Sequence, residues 1–403
     1  MIKTLNFKGC IMKKGILILS LFITYSLTAD EPQKCPIEYS EDYTFIDGEN
    51  VLTLRSGNES ILMRFGYASS FSEGLAKVMI DGKYGYIDKT VKMVIKHQFD
   101  AAWDFSEGLA KVMIDGKYGY IDKTGKIVIE PQFVVPSSFS EGLADVKIDG
   151  KYGYVDKAGK IVIKPQFDEA SSFSEGLADV KIDGKYGYVD KAGKIVIKPQ
   201  FDEASSFSEG LAIIMIDGKY GYVDKAGKIV IKPQFDEASS FSEGLADVKI
   251  DEKYGYIDKT GRIIINPQYE ETSSFQEGLG LAPVKMNKKW GFMDKTGMLI
   301  IKPQFDEAWD FNEGFAAVRM NKKWGFIDKT GILIIKPQFD EASSFSEGLA
   351  RVLIGRNHGF IDKSGKMVIK PQFDLILLSR FSEGLAPVMI DGKWGFIKLP
   401  TCK

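Results

Sequence analysis

The polar and apolar positions of this chain follow a pattern that recurs about every 34 residues from residue 71 onwards. In the copy 139–172, the stretch Leu143 to Asp149 alternates, with Ala144, Val146 and Ile148 on one side and Asp145 and Lys147 on the other. Period-two alternation of this kind predicts a half-buried β-strand. Asp149-Gly150 then predicts a two-residue hairpin turn, because both central residues of a type I′ turn need positive φ. A second strand follows from Tyr152 to Asp156, Lys157-Ala158-Gly159 supplies the next turn, and Lys160 to Lys164 forms a third strand, with Pro165 expected to end the pairing. Registering the three strands places Ala144, Val146, Ile148, Gly153, Val155, Ile161 and Ile163 on a core face. The opposite face carries Tyr152, Tyr154 and Val162 among charged residues. The segment from Pro165 to Gly176 holds Phe167 and Phe173 without strand periodicity and reads as the crossing to the next unit.

An aromatic-glycine dipeptide marks each copy: Tyr84, Tyr118, Tyr152, Tyr186, Tyr220, Tyr254, Trp290, Trp324 and Trp394, with His358-Gly359 in the one substituted place. Segments 137–170 and 171–204 are identical, and 205–238 differs from them only at Ile213, Ile214 and Met215. Two copies carry two-residue insertions, near Gly280-Leu281 and Ile376-Leu378, both in connecting segments. A unit of this length cannot offset its own ordering entropy, about 1.5 kcal/mol per residue, so neighbouring copies must bury each other's faces. The fold class expected is therefore all-β: tandem 34-residue three-stranded β-meander repeats in an open, curved solenoid-like array. A β-propeller is the alternative, disfavoured because ten units exceed the usual blade number of about 4–8.

These residues, in the order Gly-Lys-(Trp/Tyr)-Gly-(Tyr/Phe)-(Ile/Val)-Asp-Lys-x-Gly-Lys-x-Val-Ile-x-Pro-Gln-Phe-Asp, resemble the WG-containing (KWG) bacterial repeat family over about residues 69–399. The resemblance implies an interaction module of exported or multidomain bacterial proteins with no assigned reaction. The chain departs from the family pattern with tyrosine at six of the ten tryptophan positions and His358 at another.

The start of the chain differs in kind. Lys3, Lys8, Lys13 and Lys14, with no acidic residue, precede an apolar stretch from Gly15 to Leu27 that ends near Ala29. Residues 1–29 are accordingly expected to be a signal peptide, with no transmembrane span in the mature chain and an exported location: periplasmic, cell-surface or secreted. Residues 30–70 are expected to form an N-terminal segment with a degenerate capping repeat, 71–399 the ten repeats, and 400–403 a C-terminal tail. Of three cysteines, Cys35 and Cys402 bracket the mature chain, and they pair within one molecule only if its ends come close.

The 403 residues are 44% hydrophobic, enough for a large core, and 53 basic against 55 acidic side chains lie interleaved, without the basic stripe that nucleic-acid binding needs. Catalysis needs an asymmetric constellation, whereas nearly every polar residue here is one of a series. His97 and His358 stand where other copies have proline and an aromatic, and neither is assigned a catalytic role. No catalytic residue, metal site or cofactor is expected; Asp149, Asp156 and Asp168 read as turn formers rather than calcium ligands. Rings repeated along a face suit stacking on sugars or gripping a polypeptide, although Phe167 and Phe173 also need a packing partner and the tyrosine face offers one. Trp103, Trp290, Trp309, Trp324 and Trp394 are the candidate ligand contacts, with Trp103 and Trp309 replacing connector serines and best placed for local exposure. The function expected is a non-enzymatic protein-binding or scaffolding array, with lectin-like glycan or cell-wall binding as the alternative.

Overall fold

The computed structural model describes residues 40–46, 49–56, 59–276, 280–374 and 381–399, with side chains from residue 64 onwards. Residues 1–29, expected to be a signal peptide, Cys35 and Cys402 lie outside the described residues. Strands Ser40–Ile46, Glu49–Ser56 and Glu59–Met63 form a three-stranded antiparallel sheet ahead of the repeats. From there on, small antiparallel sheets follow in tandem, none closed into a barrel, and no helix occurs among the described residues. The all-β array of tandem antiparallel sheets predicted from the sequence, open in that none of them closes into a barrel, is the architecture found.

The unit centred on Tyr186 shows how the sequence builds one sheet. Its strands are Glu169–Ala170, Leu177–Ile182, Lys185–Asp190 and Ile195–Phe201, paired in chain order. Asp183 (φ 50°) and Gly184 (φ 79°) make the hairpin turn, both in the left-handed region as the Asp-Gly pair predicts. A second such turn, Glu175 (φ 53°) and Gly176 (φ 87°), was not anticipated in the crossing segment. The short strand Glu169–Ala170 is a fourth member that the sequence reading assigned to the connector. In the unit before it, Pro136 stands in the place of Ala170, offers no N–H, and that sheet has three strands only.

Two further expectations are corrected. The third strand does not stop at proline but runs on to Phe201, with a bulge between the pairs Tyr186↔Phe201, Tyr188↔Ile197 and Val189↔Ile195. Proline sits at that bulge, where a ladder N–H is not called for. The bulge also explains the aromatic-glycine dipeptide: a Cβ on Gly187 would lie 2.4 Å from the Ile197 carbonyl oxygen and 2.6 Å from the Pro199 nitrogen. Only glycine lets the two backbones approach this closely. The bulge and the sheet's outer end also leave Ile161, expected in the core, 46% exposed, whereas Tyr154 on the opposite face is fully buried against Phe173, the packing role expected for the tyrosine face. In the unit centred on Tyr186 side chains of both faces are buried, Tyr188 and Ile197 on one and Val189 on the other, so simple alternation is an incomplete guide.

Neighbours supply that packing. One cluster joins Leu177, Tyr188, Ile197 and Phe201 of one unit to Phe207, Ala212, Ile214 and Val223 of the next. The second aromatic of each unit meets the following unit's phenylalanine, as in Tyr154–Phe173 and Tyr222–Phe241, both with centroids 4.8 Å apart. Buried tyrosine hydroxyls find backbone acceptors: Tyr154 donates to the Ser171 carbonyl at 2.7 Å. A polar latch runs alongside. Glu141 accepts the Gly176 N–H at 3.0 Å and pairs with Lys191 at 3.0 Å, while Ser140 Oγ donates to the Phe173 carbonyl.

The curve carries the last unit back to the first. Phe65 and Trp394 exchange backbone hydrogen bonds, N–H to carbonyl at 3.1 and 2.8 Å. Ser382 Oγ donates to the Phe71 carbonyl at 3.0 Å, Glu383 pairs with Lys89 at 2.7 Å, and Phe396 packs on Phe71 at 5.4 Å. These repeat, between the two ends, the contacts that join sequence neighbours.

Candidate functional site on the aromatic edge

The short strand brings a third residue type to the aromatic ladder. Glu169 lies opposite Lys181, and Lys181 opposite Tyr186, so three side chains form one row across three strands. The Lys181 ammonium sits 3.0 Å from Glu169 and 5.0 Å from the Tyr186 ring centroid, and the Tyr186 hydroxyl donates to Glu169 at 2.5 Å. Burial and the carboxylate beside it push the Tyr186 phenol up to about 12, while the hydrogen bonds from Tyr186 and Lys181 hold Glu169 below the usual carboxylate range. The row recurs as Glu237–Lys249–Tyr254, with Lys249 2.9 Å from Glu237, and as Glu271–Lys285–Trp290, with Lys285 2.6 Å from Glu271. Arg319 takes the lysine's place against Glu307 beside Trp324.

Other rows lack the central cation: Glu341 faces Leu353 and then His358, and Tyr67 and Ala101 face Met79 and Met113; among them, the row at Glu203 opens a groove. Glu203 lies opposite Met215, and Met215 opposite Tyr220. Here a groove of about 300 Å³ opens between this sheet and the next, with Ile213, Ile214, Met215 and Tyr220 on its apolar side and Glu203 and Glu237 at its margins. Its neighbour, around Glu237, Asp247, Tyr254 and Glu271, has a similar volume of about 340 Å³ but is more polar.

Two positions before the lysine, the same strand turns a second set of side chains inwards. Asp179 is buried, and its Oδ1 receives the hydroxyls of Ser171 and, at 3.5 Å, of Ser206 from the next unit. Asp145 is buried with Oδ1 unpartnered. Burial raises both carboxyls above the ordinary range. Lys111 and Arg351 occupy equivalent positions, and burial lowers both. Among the described residues, no three His, Cys, Asp or Glu side chains converge as metal ligands would.

The five candidate tryptophans are distributed unequally. Trp103 is half-buried, with Lys111 4.3 Å from its ring centroid and Tyr118 edge-on at 5.3 Å. Trp290 is half-buried in its row. Trp309 is the exposed one, at 53%, and lies parallel to Trp324 with centroids 5.9 Å apart. Trp324 and Trp394, however, are buried at 6% and 5% exposure; Trp394 belongs to the seam between the ends, and neither ring offers a free face for stacking. His358 is buried against Arg351, and burial and that charge lower its pKa, whereas His97 is exposed. The sequence reading missed the glutamate and lysine of the row, whose signal is the recurrence of Glu169, Lys181 and Tyr186 at the same spacing as Glu237, Lys249 and Tyr254.

The WG containing repeat matches this chain ten times in tandem, at residues 55–84, 84–118, 118–152, 152–186, 186–220, 220–254, 254–290, 290–324, 324–357 and 359–394. No curated protein matches the chain. Among solved structures, Hsv2p of Kluyveromyces lactis aligns with 9% identity and a TM-score of 0.33 over 57% of this chain and 92% of that one. The extracellular domain of the putative one component system BT4673 from B. thetaiotaomicron aligns with 9% identity and a TM-score of 0.27 over 90% of this chain and 70% of that one. BBS1N, solved in complex with ARL6DN, aligns with 14% identity and a TM-score of 0.27 over 56% and 86%. Likeness this slight carries no argument about shape or role. The tandem matches span the described repeats from end to end, and the chain belongs to the WG containing repeat family.

Proposed function

We propose that this repeat protein acts by binding, as an exported protein-binding or scaffolding array, and not by catalysing a reaction. The observation that carries the reading is the use to which the repeated polar groups are put. Asp156 Oδ1 accepts the N–H groups of Ala158 and Lys160 and holds its turn, Asp168 pairs with Lys151 and accepts the Asp183 N–H, as Asp202 and Asp236 do in their units, and Glu141 latches one unit to the next. These three sets of repeated carboxylates thus have structural tasks, which leaves the charged and aromatic rows along the edge as the surface for contact. Many similar small contacts along a curved array are how solenoid proteins hold extended partners.

The lysine-rich start and the apolar stretch from Gly15 to Leu27 support export. Among the described residues no helix is long and apolar enough to cross a membrane. The binding reading is tested by capture from cell-envelope extract with the mature chain as bait. A partner retained by the native array and released by replacing Tyr186, Tyr254 and Trp290 together supports it; retention unaffected by that replacement counts against it. A second reading, glycan binding, is favoured by the exposed face of Trp309 stacked on Trp324. It calls for a sugar-dependent change in tryptophan fluorescence that disappears in Trp309→Ala.

A further inference from the structure

Units 137–170 and 171–204 are identical, and 205–238 departs from them at three consecutive residues, Ile213, Ile214 and Met215, in place of Asp179, Val180 and Lys181. All three replacements line the groove described above. The departure therefore has a local consequence that the neighbouring copies expose as if in a controlled comparison. In the copy before it, Lys181 lays its stem across the strand, places its ammonium over Tyr186 and binds Glu169. In the copy after it, Lys249 does the same with Tyr254 and Glu237. Between them, Glu203 and Tyr220 are retained, the Tyr220 hydroxyl donating to Glu203 at 3.1 Å, but the cation is gone. Among the described residues, Glu203 has no ion-pair partner, while Ile213 and Met215 add apolar surface beside it.

We propose that this groove seats a lysine side chain of a polypeptide partner, a proposal that rests on the protein-binding reading. An apolar wall, a ring edge and a carboxylate without its own cation form the receptor for an aliphatic stem ending in a charge. The chain itself demonstrates the fit, since its own lysines occupy the equivalent place in the flanking rows. Arginine is a poorer occupant: the flanking rows use a point-like ammonium, and the Tyr220 hydroxyl already takes one oxygen of the carboxylate, so a bidentate fork has only part of its acceptor.

The test follows the methyl resonances of Ile213 and Ile214 in the full chain during titration with the capped tripeptide acetyl-Gly-Lys-Gly-amide. Norleucine and Nε-acetyl-lysine versions of the peptide remove the charge and keep the stem. Saturable shifts with the lysine peptide, at least tenfold weaker with both neutral versions, are expected. Glu203→Gln should weaken binding by tenfold or more. Met215→Lys should abolish it by supplying the cation from within, in a protein that folds as its sister units do. Equal affinity for the norleucine peptide, or unchanged binding in Met215→Lys, overturns the proposal. A second arm compares capture of the envelope partner by the native chain and by Met215→Lys. A partner held equally by both removes the groove from the docking surface while protein binding stands; a groove that binds the peptide in a chain that captures no partner overturns the protein-binding reading instead.

Discussion

Replacing Gly221 by alanine tests the physical reason for the aromatic-glycine dipeptide. A Cβ at this position would stand 2.5 Å from the Ile231 carbonyl oxygen, 2.6 Å from the Pro233 nitrogen and 2.8 Å from the Lys232 carbonyl carbon. Ordinary carbon contacts begin near about 3.5 Å, so the bulged strand must retreat by about 1 Å. All three obstacles are backbone, which cannot rotate out of the way as a side-chain tip can. Overpacking of this kind costs about 1–3 kcal/mol, and a ladder hydrogen bond lost in the retreat adds about 1 kcal/mol, giving an expected total of about 3 kcal/mol. Gly218, three residues earlier, is the control: it sits in the hairpin turn at φ +73° with nothing within 4 Å of an added Cβ. Alanine there meets only the left-handed backbone penalty, about 1–2 kcal/mol. Urea unfolding ranks the two variants globally, and amide exchange localises the effect. Peptides containing Ile213-Ile214-Met215 are unique in sequence and report on this unit alone. A gap of about 1.4 kcal/mol would appear as roughly tenfold faster exchange around Tyr220 to Tyr222 in Gly221→Ala than in Gly218→Ala. Equal exchange in the two variants would refute the claim that close backbone approach, and not turn conformation, demands this glycine.

Phe71→Ala should raise amide exchange in strands Leu385–Ile390 and Lys393–Lys398, with a cost of about 3 kcal/mol, because Phe71 packs on Phe396 across the seam; protection unchanged there would mean that the ends do not meet in solution. Glu141 carries a carboxyl that burial raises but that the Lys191 and Gly176 hydrogen bonds bring, on balance, below its ordinary value, so its contribution is present at neutral pH and lost as pH falls through the folded-state value. Glu141→Gln should therefore cost about 1 kcal/mol at pH 7 and nothing in strong acid, as read from urea midpoints at the two pH values. Asp179 has the opposite sign: burial raises its carboxyl, so stability from this site is greatest in acid and declines as pH rises through the raised value. Asp179→Asn should raise the urea midpoint at pH 7 and flatten that part of the pH profile; a lowered midpoint at pH 7 would contradict it.

The strands and hairpin turns were legible because they rest on local chemistry: alternation over Leu143–Ile148, and residues such as Asp149 and Gly150 that tolerate positive φ. The mutual burial of neighbouring copies was legible too, but three features that depend on a particular neighbour escaped. Glu169–Ala170 is too short to show a period, and it becomes a strand only because Lys181 and Val180 offer it an edge. Pro199 signals a stop to any reading of one strand, yet the facing strand contributes Gly187, and a bulge built from the two lets pairing resume at Phe201. Burial of Trp324 and Trp394 likewise depends on adjoining units, and for Trp394 on Phe65, more than 300 residues away in sequence. Curvature is set by small rotations at each interface, and no residue pattern within a single copy records their sum.

Near-perfect repetition makes deviations more informative than shared residues. A side chain that recurs in every copy answers to a demand that every copy makes, and the structure identifies those demands as turns, latches and inter-unit packing. Binding specificity needs a place that differs from its neighbours, because identical sites in series bind in any register. The change from Asp-Val-Lys to Ile-Ile-Met at residues 213–215 leaves the strand, its pairing and its turn intact, and alters the charge and shape of a single stretch of the edge. Glu203, exposed and bonded to the Tyr220 hydroxyl, keeps a carboxylate that no lysine of its own row pairs with. A fixed register for a partner therefore has its natural origin at this row, with the flanking Lys181 and Lys249 rows occupied from within and closed to the same contact.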